Sequence, residues 1–148
     1  MTEHTDFYNR LEALQQRVAT TTAAVHAAAA ESDAQLKERI DRAQAELHKS
    51  AEVTRQQLSQ ASDSVRATWA ELKAEAAARM SDVKSNLDKR ALQLDAKGAA
   101  KEADWAEADA ADALDFADWA VENAELAMLD AIHARTYADQ LANTSVNA

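Results

Sequence analysis

Residues 36–58, LKERIDRAQAELHKSAEVTRQQL, decide the fold. Leu36, Leu47 and Leu58 stand eleven residues apart, and Ile40 and Ala51 follow two of them at four residues' distance. Outward from this stretch, Leu14, Val25, Trp69, Met80 and Ala91 keep the same interval. Satellite positions hold the register: Val18 and Ala29 four residues on, Ala61, Leu72, Val83 and Leu94 three on, and Ala43, Val65, Ala76 and Leu87 seven on. Eleven residues over three turns is about 3.67 per turn, close to the α-helix's own period, so the apolar stripe runs almost straight along a helix.

Register continuity predicts one long amphipathic helix over 6–97, about 135 Å at 1.5 Å per residue. No Gly or Pro punctuates that span. The alternative is a break near Ser32, where Ser32-Asp33-Ala34-Gln35 reads as a capping box and Thr20-Thr21-Thr22 is a weak helix former. A stripe this long cannot lie bare in water, and one helix cannot build a core. It must meet another helix, fold back, or find an apolar surface. The stripe therefore predicts a homo-oligomer, with Leu36, Leu47, Leu58, Trp69 and Met80 as interaction residues. The other face carries acid-first pairs, Asp33–Lys37, Glu38–Arg42 and Glu75–Arg79, that support a solvated helix.

Composition agrees with the period. Of 148 residues, 38 are Ala, one is Gly, and none is Pro or Cys. Sheet and α/β folds need turn residues that this chain lacks, so the fold class is all-α. Without Cys there is no disulfide scaffold, thiol nucleophile or Cys-held metal. One glycine cannot make a phosphate-cradling loop. The polar, acidic start, Met1 to Asp6, predicts no signal peptide, and the most apolar run, Ala23 to Ala30, is short and interrupted by His26. A cytoplasmic protein is expected.

Gly98 is the best break, after Asp95-Ala96-Lys97. The organisation expected is a flexible amino terminus over 1–5, the long helix over 6–97, a break at 98–100, a shorter acidic Ala-rich helix over 101–142 and a flexible tail over 143–148. Charge separates the two helices. Residues 1–97 hold 14 Lys/Arg and 15 Asp/Glu, whereas 98–148 hold 2 and 11, so almost all of the net −10 sits in the carboxy-terminal third. Between Lys101 and Arg135 there are ten acids and no base. Nucleic acid is excluded as a partner by this field, and docking on anionic lipid is disfavoured.

The second helix gathers Trp105, Phe116, Trp119, Leu126 and Tyr137 on one face, and Leu114, Val121, Met128 and Ile132 on the opposite one. Two apolar faces predict burial on both sides, by a protein partner or by copies of the chain. Asp112, Asn123 and Asp130 on the aromatic face either reach water, set register, or line a site between copies. Asp130 and His133 stand one turn apart, the weak candidate for metal binding. A carboxylate-bridged bundle needs two such motifs and two more glutamates, so no metal and no cofactor is expected. Nothing in the sequence supports catalysis.

The runs Asp104-Trp105-Ala106-Glu107, Asp118-Trp119-Ala120-Val121-Glu122-Asn123-Ala124-Glu125-Leu126 and Leu129-Asp130-Ala131-Ile132-His133-Ala134-Arg135 resemble the tail of an uncharacterised family of small actinobacterial helical coiled-coil proteins. The likeness extends across most of the chain, and it implies a helical fold without bringing an activity. The eleven-residue repeat is similar, in period and composition, to that of apolipoproteins, phasins and late-embryogenesis-abundant proteins. Two functions follow: a non-enzymatic structural or interaction protein, or an amphipathic coat on lipid droplets, granules or membranes, or a protectant of them under stress.

Overall fold

A computed structural model describes residues 2–147, with side chains described over 6–145. The described residues are all-helical: α1 (Thr2–Ala28), α2 (Asp33–Gln57), α3 (Asp63–Leu92) and α4 (Ala96–Asn147). The chain divides into two units, one holding Met1–Thr22 and Ala100–Ala148, the other Ala23–Ala99.

The single helix expected over 6–97 is corrected by breaks at residues 29–32 and 58–62. Neither uses Gly or Pro. At the first, α1 tightens as Ala30 N–H donates to the Ala27 carbonyl and Glu31 N–H to that of Ala28. Ser32 then leaves helical geometry (φ −71°, ψ 165°) and caps α2. Its hydroxyl accepts from Gln35 N–H at 3.3 Å, while the Gln35 side chain accepts from Ser32 N–H at 3.0 Å. This is the reciprocal box legible in the sequence. At the second break, Ser62 (φ −62°, ψ 160°) caps α3 by accepting from Val65 N–H at 3.3 Å. The hydroxyls satisfy amides that a helix start would otherwise leave unpaired.

Gly98 is a second correction. The break lies at residues 93–95, and Gly98 is in the first turn of α4 with no positive φ. Asp95 makes the start: its carboxylate accepts from Lys97 N–H at 3.2 Å and Gly98 N–H at 3.3 Å, and its carbonyl from Ala99 N–H at 3.0 Å. A carboxylate at a helix amino terminus satisfies its unpaired amides and complements the helix dipole, so α4 starts before Gly98. Glycine's missing Cβ leaves room for the Gln93 side chain, whose amide lies where that Cβ would be. The termini are corrected too. Helix extends from Thr2 through the segment expected to be flexible, and α4 runs past 142 to Asn147. Residues 1 and 148 lie outside the described residues.

Within the unit 23–99, α2 and α3 run antiparallel. Leu36 and Ile40 line one groove with Leu87 and Ala91, and the Gln44 side-chain amide donates to the Met80 carbonyl at 3.3 Å. Farther along, the Lys73 charge acts on Glu52. Eight residues forward on α2 thus meet seven back on α3. Leu36, Ile40, Thr54 and Leu58 on α2 and its cap, and Trp69, Ala76, Met80, Val83 and Leu87 on α3, are half-buried. The stripe read as continuous is folded so that its two halves face each other.

Ion pairs trim the unit. Arg39 Nε donates to Glu31 at 2.6 Å, tying α2 to the turn before it. That hydrogen bond, with the Glu31 charge, raises the Arg39 guanidinium above its ordinary range despite some desolvation. Lys37 meets Asp33 at 3.0 Å, the acid-first pair expected at this point.

Candidate functional site

No side chain among the described residues is fully buried. A helical chain of this size ordinarily hides Leu, Val and Trp, so its apolar surface is the place to look for function. Tyr8, Leu11, Leu14, Val18 and Val25 on α1 are part of that surface, and two further parts carry the interaction residues expected from the sequence.

The first is the α2–α3 seam. Of the expected interaction residues, Leu36, Leu58, Trp69 and Met80 are half-buried there, and Leu47 lies at the exposed edge. Leu58 has left the helix and is the cap of α2, so the repeat crosses a turn at that point. Val53, Val65 and Leu72 remain exposed. At the open end, Asp33, Leu36, Lys37, Ile40, Leu87, Arg90 and Ala91 line a groove of about 270 Å³. Its lining mixes four apolar side chains with the charged Asp33, Lys37 and Arg90. Two helices pressed together by one stripe cover only the sides that face each other, which is why burial stops halfway.

The second part is α4. Its 52 residues give a helix of about 78 Å. Trp105 (64 % exposed), Phe116 (72 %) and Trp119 (65 %) stand open with Leu126, Tyr137 and Leu141 along one face. Helical geometry puts these six in an arc of about 80°. Next to them lies a second arc of similar width, made of Asp104, Glu107, Asp115, Asp118, Glu122 and Glu125. A count of charges along the chain does not reveal that these acids share a flank, whereas the period of an unbroken helix does. On the other side of the aromatic row the flank is alanine from Ala106 to Ala131: Ala106, Ala113, Ala117, Ala120, Ala124 and Ala131.

The opposite apolar face is partly covered. Met128 and Ile132 are half-buried, as are Ala106 and, on α1 in the same unit, Phe7. Leu114 and Val121 stay exposed. Burial on both sides, expected from the two apolar faces, is therefore not what this chain reaches by itself. Asp112, Asn123 and Asp130 are exposed and reach water.

Two ring contacts lie within α4 itself. Lys101 Nζ sits 5.9 Å from the centroid of the Trp105 ring, a cation over an aromatic face one turn away. His133 stacks on Tyr137 with centroids 6.5 Å apart and planes 14° from parallel. Among the described residues no three His, Asp or Glu side chains converge as metal ligands, so Asp130 and His133 gain no further partner for an ion. No described helix is long and apolar enough to cross a membrane.

No family model, curated protein or solved structure matches the chain.

Proposed function

We propose that this protein is a non-enzymatic structural or interaction protein. It self-associates through the apolar edges that the folded stripe leaves open at Leu47, Val53 and Leu72, and presents α4 as an acidic, Trp-bearing docking helix. The observation that carries the reading is the absence of any fully buried side chain among the described residues, combined with an aromatic row left open on α4. Apolar surface gains roughly 25 cal/mol per Å² when it leaves water, so exposed Trp, Phe and Leu in a row favour association. Aromatic side chains grouped in one segment are the usual anchors of an interface.

The test is sedimentation velocity on the pure protein across a range of concentrations, for the natural chain and for Leu47→Asp/Leu72→Asp, both at exposed edges of the pair. The expected result is a dimer or larger species whose mass falls in the variant. A natural chain that stays monomeric throughout, or a variant mass identical to that of the natural chain, overturns the reading.

The second reading is an amphipathic coat on lipid or granule surfaces. Trp105, Phe116, Trp119 and Leu126, exposed along one face of α4, favour it. The row of carboxylates beside them opposes it, since anionic headgroups would be repelled. Helix content that appears only with vesicles would mark this second function.

A further inference from the structure

We infer that the open face of α4 is the docking site for a cationic amphipathic helix of about twenty residues. The inference rests on the interaction-protein reading and names the partner's chemistry.

Three observations converge on it. The aromatic row from Trp105 to Leu126 and the carboxylate row from Asp104 to Glu125 lie side by side over the same 21 residue steps, about 32 Å of helix. An occupant must therefore offer an apolar stripe and a basic stripe, adjacent and equally long, and a helix of about 21 residues does so. Charge then selects among occupants. A second α4 packed antiparallel would bring another acidic row against this one, and packed parallel it would offer the row only alanine; anionic lipid would be repelled. A row of Lys or Arg would pair with the carboxylates while its apolar neighbours cover Phe116 and Trp119. Finally, Lys101 already places its ammonium over the Trp105 ring, so the surface holds a Lys side chain within the chain itself. The alanine flank lets a second helix come close without displacing a large side chain.

The experiment uses the full chain and synthetic 20-residue peptides of Leu and Lys. One peptide sets Leu along one helix stripe and Lys along the stripe adjacent to it, a second has the same composition with the residues reordered so that they mix, and a third carries Glu in place of Lys. Calorimetry gives affinity and tryptophan emission reports burial of Trp105 and Trp119. The segregated Lys peptide is expected to bind one to one with a shift of emission to shorter wavelength. The reordered and Glu peptides are expected to bind at least roughly tenfold more weakly.

Phe116→Ala/Trp119→Ala should weaken binding by about thirtyfold. The neutralised set Asp115→Asn/Asp118→Asn/Glu122→Gln/Glu125→Gln should weaken it by about tenfold and flatten its dependence on salt. That second set removes no apolar volume, so it keeps the test decisive if the aromatic variant loses helix.

Equal affinity for the reordered peptide would mean charge alone and would overturn the inference. So would preference for the Glu peptide, or no peptide binding alongside binding to phosphatidylcholine–phosphatidylglycerol vesicles. Failure of the peptide while the mass still drops in Leu47→Asp/Leu72→Asp sinks this inference and leaves the parent reading standing. Peptide binding by a chain that stays monomeric does the reverse for the self-association half.

Discussion

The side-chain amide of Gln44 donates to the backbone carbonyl of Met80 at 3.3 Å, thirty-six residues away. This bond ties the middle of α2 to the middle of α3 and reports the register of the antiparallel pair. Leu36 beside Leu87 on one side of it, and Glu52 within reach of the Lys73 charge on the other, keep the same phase. Because the two helices meet along only one stripe each, they leave apolar edges at Leu47, Val53 and Leu72.

Replacing Gln44 tests what that bond contributes. Met80 lies inside α3, where its carbonyl also has the helix's own amide partner four residues on. Gln44→Leu therefore orphans nothing and places an apolar group against a half-buried seam. We expect it to raise stability by about 0.5–1.5 kcal/mol, read from the urea midpoint by circular dichroism. A loss of stability would mean the hydrogen bond outweighs the gain in apolar burial.

The two serine caps should cost comparable amounts when removed. Ser32→Ala and Ser62→Ala each delete a side-chain acceptor for an amide at a helix start. The expected loss is about 1 kcal/mol for each variant in chemical denaturation. Ser62→Ala has a further consequence, since Leu58 to Ala61 hold the turn with only short-range backbone bonds. Without the cap, α2 and α3 can straighten into one helix. Distance measurement between spin labels at positions 44 and 80 would detect the opening as a lengthened population.

Gly98→Ala separates the two views of that glycine. A left-handed cap would be strained by Ala, but Gly98 sits in ordinary helical geometry. Ala stabilises a helix interior by about 0.8–1.0 kcal/mol relative to Gly. The Gln93 amide must swing away, and it is the far end of a flexible side chain. A net gain of several tenths of a kcal/mol is expected, as a higher thermal midpoint. A drop would show that the Gln93 cover on Gly98 matters more than helix propensity.

Glu52 gives a pH dependence with a defined sign. Hydrogen bonds from Arg55, 2.6 Å and 3.2 Å long, and the Arg55 charge hold its carboxyl below the ordinary glutamate range, with Lys73 adding to the effect. A carboxyl with a lowered folded-state pKa stabilises the fold above its unfolded pKa, and loses that contribution as pH falls through the folded value. Glu52→Gln should therefore be less stable than the natural chain at about pH 7, with the gap closing toward about pH 2.5. A gap that persists undiminished in acid would show that charge is not the cause.

Much of this protein is written in its sequence. Thirty-eight alanines with one glycine and no proline leave helix as the one economical backbone state, and the acids gathered after Gly98 make the last helix an acidic one. The box at Ser32 and Gln35 was legible because capping is local chemistry, carried by residues three apart. Ser62 carries a weaker form of the same signal: Ser62-Asp63 repeats Ser32-Asp33 thirty residues later, but Val65 takes the place of Gln35 and no reciprocal bond forms. What the tertiary structure alone decided is that the stripe folds back on itself. An interval of eleven residues is the same whether the helix continues or reverses, since Leu58 is half-buried as the cap of α2 and still belongs to the apolar series. The choice depends on the surface that Leu36, Ile40, Trp69, Met80 and Leu87 cover against each other, and burial between distant residues leaves no mark in a local pattern. The same holds for α4. Its aromatic and acidic rows follow from an unbroken helix, while their exposure depends on what the rest of the chain does not cover.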